Sequence, residues 1–271
     1  MSMNVKIPNK VQDRLSSGLR RFQPILANAK ARDVGETDTV TIIKDYLAEV
    51  LGYDKYSELT SEHLIRGTYC DLAVKLDGKL AWLIEVKAIG IELKDAHVKQ
   101  AIDYAANQGC EWVVLTNGGR WMVFRVSFAK PISHEIIADI DVMSLSTRRD
   151  EDLRLLWLLS REGWLKSHLD DFAAQRELLS KYTLAALLQT DGILNELRKE
   201  LRRLNPELRL ELSAIGDVLK NDVIKREAME GDKAASANAT IKRAMNKALR
   251  QKAASAGQAK RGDAQVSPEG E

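Results

Sequence analysis

Three residues at the ends of two apolar runs have the types and spacing to do chemistry. Asp71 lies in Tyr69-Cys70-Asp71-Leu72-Ala73-Val74, and Glu85 and Lys87 close the run Trp82-Leu83-Ile84-Glu85-Val86-Lys87. Between the runs stands Asp77-Gly78, a dipeptide that predicts a two-residue β-turn. Side chains alternate along a strand, so Glu85 and Lys87 share one face and Val86 takes the other. Counted from Gly78, Asp71 lies seven residues back and Glu85 seven ahead, which predicts that the two acids are near cross-strand partners. Carboxylates so placed repel each other unless a cation neutralises them. Hard oxygen donors for a divalent ion, with an ammonium near the attacking water and the developing charge, are what metal-assisted phosphodiester hydrolysis requires. The bland alternative is a surface hairpin with solvated charges. The apolar flanks favour the edge of a cleft instead.

The elements that must position these groups follow from periodicity. Val11, Leu15, Phe22 and Ile25 predict a helical arm, with a break at Pro24. Val40, Ile43, Leu47, Val50 and Leu51 form one helical stripe from Thr39, stopped at Gly52. Two strands are expected, from Thr68 to Leu76 and from Leu80 to Ala88. A helix from Leu93 to Gln108 is closed by Gly109. Strands from Trp112 to Leu115 and from Trp121 to Val126 are joined across Asn117-Gly118-Gly119, and a last strand runs from Glu135 to Ile140. A crossover helix between strands implies that part of the sheet is parallel. The expected fold is therefore α/β over residues 35–140, a mixed sheet flanked by helices. It is preceded by a basic helical arm over 1–34 and followed by an all-helical module over 141–230.

In that helical module Leu187, Leu194 and Leu201, with Leu197 and Leu204 beside them, suit helix packing or a short coiled coil, which makes homo-oligomerisation an expectation. From 231 to 271 the chain is rich in Ala, Ser, Lys and Gly. Ile241, Ala244, Met245, Ala248 and Leu249 oppose Lys242, Arg243, Lys247 and Arg250, so a basic amphipathic helix is expected there, with disorder from Ala253 onward.

With 271 residues, 45% of them hydrophobic and 30% charged, the chain has the balance of a protein with a true core. Its net charge of +2 hides an uneven distribution. From Met1 to Arg32 one acid, Asp13, meets seven Lys or Arg, and from Lys233 to Arg261 there are eight basic residues and no acid. Both ends are thus candidates for polyanion contact. Two cysteines without CxxC spacing point to a reducing compartment. The lack of a signal-like or membrane-spanning apolar run makes a cytoplasmic location the expectation. His63, His97, His134 and His168 show no zinc-ligand spacing.

The ordered set Gly35-Glu36-Thr37, Leu51-Gly52-Tyr53, Asp71, Ile84-Glu85-Val86-Lys87, Gln100 with Tyr104, and Thr116-Asn117-Gly118 resembles the PD-(D/E)xK nucleases. It is most similar to the N-terminal nuclease domain of type I restriction enzyme R subunits. The resemblance covers about residues 35–126, with Cys70 standing where the signature has Pro. It implies a restriction-endonuclease-like fold and magnesium-dependent hydrolysis of DNA, with manganese able to replace magnesium. Asp71 and Glu85 would bind the metal, with the Val86 carbonyl as a further ligand, and Lys87 would orient the water or stabilise the phosphorus. Glu36 would reach the metal through a water, although an acid at a helix N-terminus is also favoured by the dipole alone. The resemblance sets Gln100 and Tyr104, one turn apart, beside the active site near the DNA backbone, with Gln100 counted among the catalytic residues. Lys94 and Lys99 would touch phosphates, against the simpler reading of a solvated face. No Gly-rich loop ending in Gly-Lys-Ser/Thr is present, so no ATP site is expected and the R subunit's motor has no counterpart here.

The expectation is a stand-alone DNA endonuclease of restriction, phage defence or mobile-element biology. The alternative is a non-catalytic nucleic-acid-binding or assembly protein that retains the fold and holds phosphates with its basic ends. No base-reading element is recognisable, so DNA sequence specificity is not assigned.

Overall fold

The computed structural model describes residues 6–65, 68–129 and 131–262, with side chains except at 62–65, 68–69 and 251–262. The chain divides into two compact units, residues 1–173 and 174–271. The first contains one mixed sheet of six strands in sequential order: β1 (Leu59–Ile65), β2 (Thr68–Leu76), β3 (Lys79–Val86), β4 (Trp112–Thr116), β5 (Arg120–Ser127) and β6 (Ser133–Asp141). Only β3 and β4 pair in parallel. The crossover between them is α3 (Asp95–Gln108), closed by Gly109 at φ 66°, as the glycine there predicts.

Each face of the sheet is sealed by its own core. On one, Leu83, Val113, Leu115 and Phe124 pack with Ala101, Ile102 and Ala105 of α3. On the other, Leu72, Val74, Trp82, Ile84, Val86 and Val114 pack with α1 (Asn9–Ala31), α2 (Glu36–Glu49) and α4 (Asp150–Leu159). The unit is therefore larger than the expected 35–140. Leu15, Leu19, Phe22 and Leu26 of α1 are buried, as are Leu153, Leu156, Trp157 and Leu159 of α4. Helix α1 is part of the core rather than an arm. It also runs unbroken through Pro24: its buried stripe holds the helix on both sides of the proline, and Ile25, taken as an apolar anchor, is 37% exposed.

The hairpin that carries the acids has a feature the turn alone does not predict. Asp77 and Gly78 both have positive φ, 50° and 74°, the turn type whose twist matches paired strands. That turn sets Leu76 against Lys79 and Lys75 against Leu80, but the next pair is Val74 with Trp82. Ala81 is an extra residue on β3, a β-bulge that shifts the register by one. Without it Asp71 would face Ile84. With Leu72 opposite Ile84, one further step sets Asp71 across from Glu85, so the count of seven on each side holds only through the bulge.

Strand β1 was not expected, because its middle, Thr60-Ser61-Glu62-His63, shows no apolar alternation. It is an edge strand paired only to β2, where such a sequence is tolerated.

Within the second unit, α7 (Lys181–Leu188), α8 (Asp191–Leu204), α9 (Leu212–Val218) and α10 (Asp232–Gly262) follow α5 (Arg161–Leu165) and α6 (His168–Leu178), with α6 crossing the division between the units. The leucine heptad does not run along one helix, since Leu187 lies on α7 and Leu194 on α8, whose N-cap is Thr190. Residues 253–262, expected to be disordered, continue α10. Low hydrophobicity leaves no core to build, but Ala253, Ala254 and Ala256 have high helix propensity. No helix among the described residues is long and apolar enough to cross a membrane.

Candidate active site

Strand β3 turns from wholly apolar to charged within two residues. Leu83 and Ile84 are completely buried, and Glu85 follows them into the interior with only 2% of its surface exposed. Its Oε1 accepts a hydrogen bond from Lys87 Nζ at 2.6 Å, and its Oε2, buried as well, has no hydrogen-bond donor among the described residues. Asp71 reaches the same strand end from β2, its Oδ2 accepting from the Val86 N–H at 2.7 Å. Glu36, the first residue of α2, brings Oε2 to 3.9 Å from Lys87 Nζ. Four of the expected residues therefore meet at the end of β3: Asp71, Glu85, Lys87 and Glu36, three acids and one amine among the described residues.

The electrostatics follow from that imbalance. Burial pushes the Glu85 carboxyl up to about 7; the Lys87 hydrogen bond works against this, and the nearby Asp71 carboxylate adds to it. Burial opposes the charge on Lys87, yet its bond to Glu85 and the fields of Glu85, Glu36 and Asp71 lift its pKa above that of an ordinary lysine. An acid that is half protonated near neutrality, beside an ammonium that stays charged, marks a site short of positive charge.

A hard divalent cation fits that deficit. The buried Glu85 Oε2 and the Asp71 carboxylate are oxygen donors on adjacent strands. The N–H and C=O of a residue in an extended strand leave on the same side, so the Val86 carbonyl faces the edge where its N–H meets Asp71. Among the described residues no group of three or more His, Cys, Asp and Glu side chains forms a metal cluster, so such an ion would take its remaining ligands from backbone, water or substrate, as magnesium commonly does.

The other expected residues make contacts of their own. Gln100 donates to Tyr104 Oη at 3.2 Å on α3, and Tyr104 leans on the α3-side core. Their bond is to each other. Lys94 and Lys99 are exposed, and the Lys94 N–H donates to His97 Nδ1 where α3 begins. His134 packs edge-on against Phe124, His168 lies beside Trp157, and the His63 side chain is outside the described residues. Cys70 is buried with its thiol on the carbonyls of Leu72 and Ile84, and burial, reinforced by Glu85 and Asp71, drives its pKa far above a reactive range.

One residue that sequence reasoning used only as a helix start, Thr39, ties the site together. It is wholly buried. Its hydroxyl donates to the Gly35 carbonyl at 2.9 Å and accepts from the Ile89 N–H at 3.1 Å, fastening the segment after Lys87 to the turn of helix that carries Glu36. Asn117 holds the same segment further along, its Nδ2 donating to the Ile91 carbonyl at 2.8 Å, while the Lys87 N–H donates to the Thr116 carbonyl. A lone buried threonine in an apolar stripe is the only signal the sequence offered.

A mixed sheet with two carboxylates and a lysine gathered where a hairpin strand ends defines a restriction-endonuclease-like α/β domain. Residues 36–140 match the family model for the type I restriction enzyme R protein N terminus (HSDR_N), and this stretch is similar to the nuclease domain found there. No curated protein and no solved structure matches the chain.

Proposed function

We propose that the first unit is a metal-dependent deoxyribonuclease cutting phosphodiester bonds within DNA, with Asp71, Glu85 and the Val86 carbonyl holding magnesium or manganese. The observation that carries this reading is the Glu85 carboxylate, buried with one oxygen unpartnered beside a second acid. A structural role gives no reason to bury such a charge, whose desolvation costs several kcal/mol. When bound, the ion would supply Lewis acidity and lower the pKa of its water. Lys87, held at 2.6 Å by Glu85, is anchored where it can orient the attacking water or meet charge developing on phosphorus. Glu36 stands behind Lys87 and adds an outer carboxylate. In this reading Gln100 and Tyr104 form a polar ridge for the DNA backbone and Lys94 and Lys99 add phosphate contacts. Similarity to a restriction-enzyme domain favours a restriction or phage-defence setting, and a cytoplasmic location accords with it.

The test is incubation of the full chain with supercoiled and linear DNA in magnesium, in manganese and in chelator. Cleavage is expected with either metal and not in chelator, and it should disappear in Asp71→Ala, Glu85→Ala and Lys87→Ala. Intact DNA under all conditions, together with salt-sensitive DNA binding that the three substitutions leave unchanged, would establish the non-catalytic alternative.

We carry self-association as a separate proposal. Leu201 and Leu204 of α8 are 39% and 84% exposed, an apolar surface that a second copy could cover. Sedimentation of the full chain against a chain ending after Ala173, which keeps the α4 core, is expected to show the larger species only for the full chain. Equal oligomeric states would remove the idea.

A further inference from the structure

Basic residues of the second unit differ in how their charge is met. Outside α10, Lys181 pairs with Glu227, Lys199 with Glu196, Arg203 with Glu200 and Arg226 with Glu230, all within 2.8 Å. On α10, Lys242, Arg243, Lys247 and Arg250 are exposed, and the chain offers no acid between Lys233 and Arg261 to pair with them.

The helix is also asymmetric. It is anchored to α7 through its first turns, where Ala234 and Ile241 are buried at 1% and 8% exposure, and every residue from Lys242 to Arg250 is exposed. At about 100° per residue, Arg243, Lys247 and Arg250 fall within about 60° of one another, on the side opposite Ala234 and Ile241. The stripe spans about 10 Å of helix, a length that faces about three phosphates of one DNA strand. Holding three cations on a face that nothing among the described residues neutralises costs self-repulsion, and a polyanion relieves it.

We propose that the stripe of Arg243, Lys247 and Arg250 is a second DNA-contacting surface, gripping the sugar-phosphate backbone independently of the candidate nuclease site. The choice of DNA as the polyanion rests on the nuclease reading. An anionic membrane fits less well, because surface-seeking helices set Trp, Phe or Leu opposite their charges. No aromatic residue occurs from Asp232 to Gly262, Ile241 on the face opposite the stripe is already buried, and the large apolar residues exposed there are only Met245 and Leu249 among the described residues.

The experiment measures binding of labelled duplex DNA to the full chain by anisotropy in chelator, where no cleavage occurs, across a range of salt. The variant R243Q/K247Q/R250Q is expected to bind at least about tenfold more weakly at about 0.1 M salt and to lose about two to three from the slope of log affinity against log salt. R243K/R250K, which keeps the charge, is expected to retain both. Unchanged affinity and slope in the triple variant would overturn the proposal. So would loss of binding to phosphatidylserine vesicles with DNA binding intact. A wild-type chain that cleaves nothing but binds through the stripe removes the nuclease reading and keeps this one. Cleavage by the wild type with a triple variant that binds normally does the reverse.

Discussion

Among the partly or wholly enclosed charges of the first unit, two groups are built on opposite principles. Arg14, on α1, donates to both carboxylate oxygens of Glu162 at 2.6–2.7 Å and to the carbonyls of Val50 and Leu51. Burial opposes the Glu162 charge, but the guanidinium prevails and its pKa falls below the ordinary carboxylate value. Charge is balanced, donors and acceptors are matched, and the pair closes the end of α2 against α5. At the end of β3 the balance fails among the described residues: three acids stand with one ammonium, a buried oxygen has no hydrogen-bond donor, and Glu85 is pushed up towards neutrality. The first arrangement stabilises a fold by itself. On the proposed reading the second is completed by a bound cation, which is the difference between a structural ion pair and a site.

The sharpest way to break the comparison is Glu85→Gln, which keeps shape and removes charge. If the β3 group is a site, metal-dependent cleavage should fall by about a thousandfold or more, the scale on which removal of a key electrostatic group acts, while the metal-free fold gains stability near pH 8. A structural role predicts the reverse sign of the stability change. Cleavage rates and urea midpoints on the same preparations decide between them.

The proton on Glu85 sharpens the contrast. Its folded-state value near 7 lies above the ordinary 4.5, so between these pH values the folded chain holds a proton that the unfolded chain releases, and stability must fall as pH rises through that window. Below about 4.5 the group is protonated in both states, so the linked stability is fully present and no longer changes with pH. A rise of this size corresponds to about 3 kcal/mol. Urea unfolding of metal-free protein from pH 4.5 to 8 should show the decline in the wild type relative to Glu85→Gln, and added magnesium should offset it at the alkaline end. Parallel pH profiles for the two proteins would remove the assignment.

On the structural side, Arg14→Met should cost about 2 kcal/mol. That is less than the roughly 3–5 of a fully buried pair, because about a third of each side chain is solvated. Adding Glu162→Leu should recover part of the loss by removing the stranded carboxylate. No such recovery is expected from pairing Lys87→Met with Glu85→Leu, where cleavage is the casualty.

The two regions were not equally legible in the sequence. The hairpin, α3 and its closing glycine, and the strands β4 to β6 follow from alternation and turn chemistry, which act locally. The meeting of Asp71 with Glu85 depended on a bulge at Ala81 that no residue type announces. The role of α1 was hidden because Leu19 and Leu26 read as core only once the sheet exists to receive them, and Pro24 argued locally for a break that tertiary packing overrides. Arg14 and Glu162 are 148 residues apart, and no periodicity connects them. Unpaired charge on α10, by contrast, was visible directly, since a run without acids needs no tertiary knowledge.

The smallest expected effect concerns Thr39, a buried structural hydroxyl whose partners are the backbone of Gly35 and Ile89, on either side of the β3 group. Thr39→Val preserves shape, including the γ-methyl, but leaves the Ile89 N–H without its acceptor. An unsatisfied buried donor costs about 1–3 kcal/mol, and thermal unfolding should register a loss at the lower end of that range. If the hydroxyl merely stabilises the fold, cleavage at a temperature where the variant is fully folded should be normal. If it sets the distance between the α2 turn bearing Glu36 and the segment after Lys87, the turnover rate should drop by about tenfold with little change in the DNA concentration for half-saturation, because ammonium placement, not DNA contact, is disturbed. Thr39→Ser, which keeps the hydroxyl and loses the methyl, should restore turnover while remaining less stable than the wild type. A serine variant no faster than the valine one would show that Thr39 acts through packing alone.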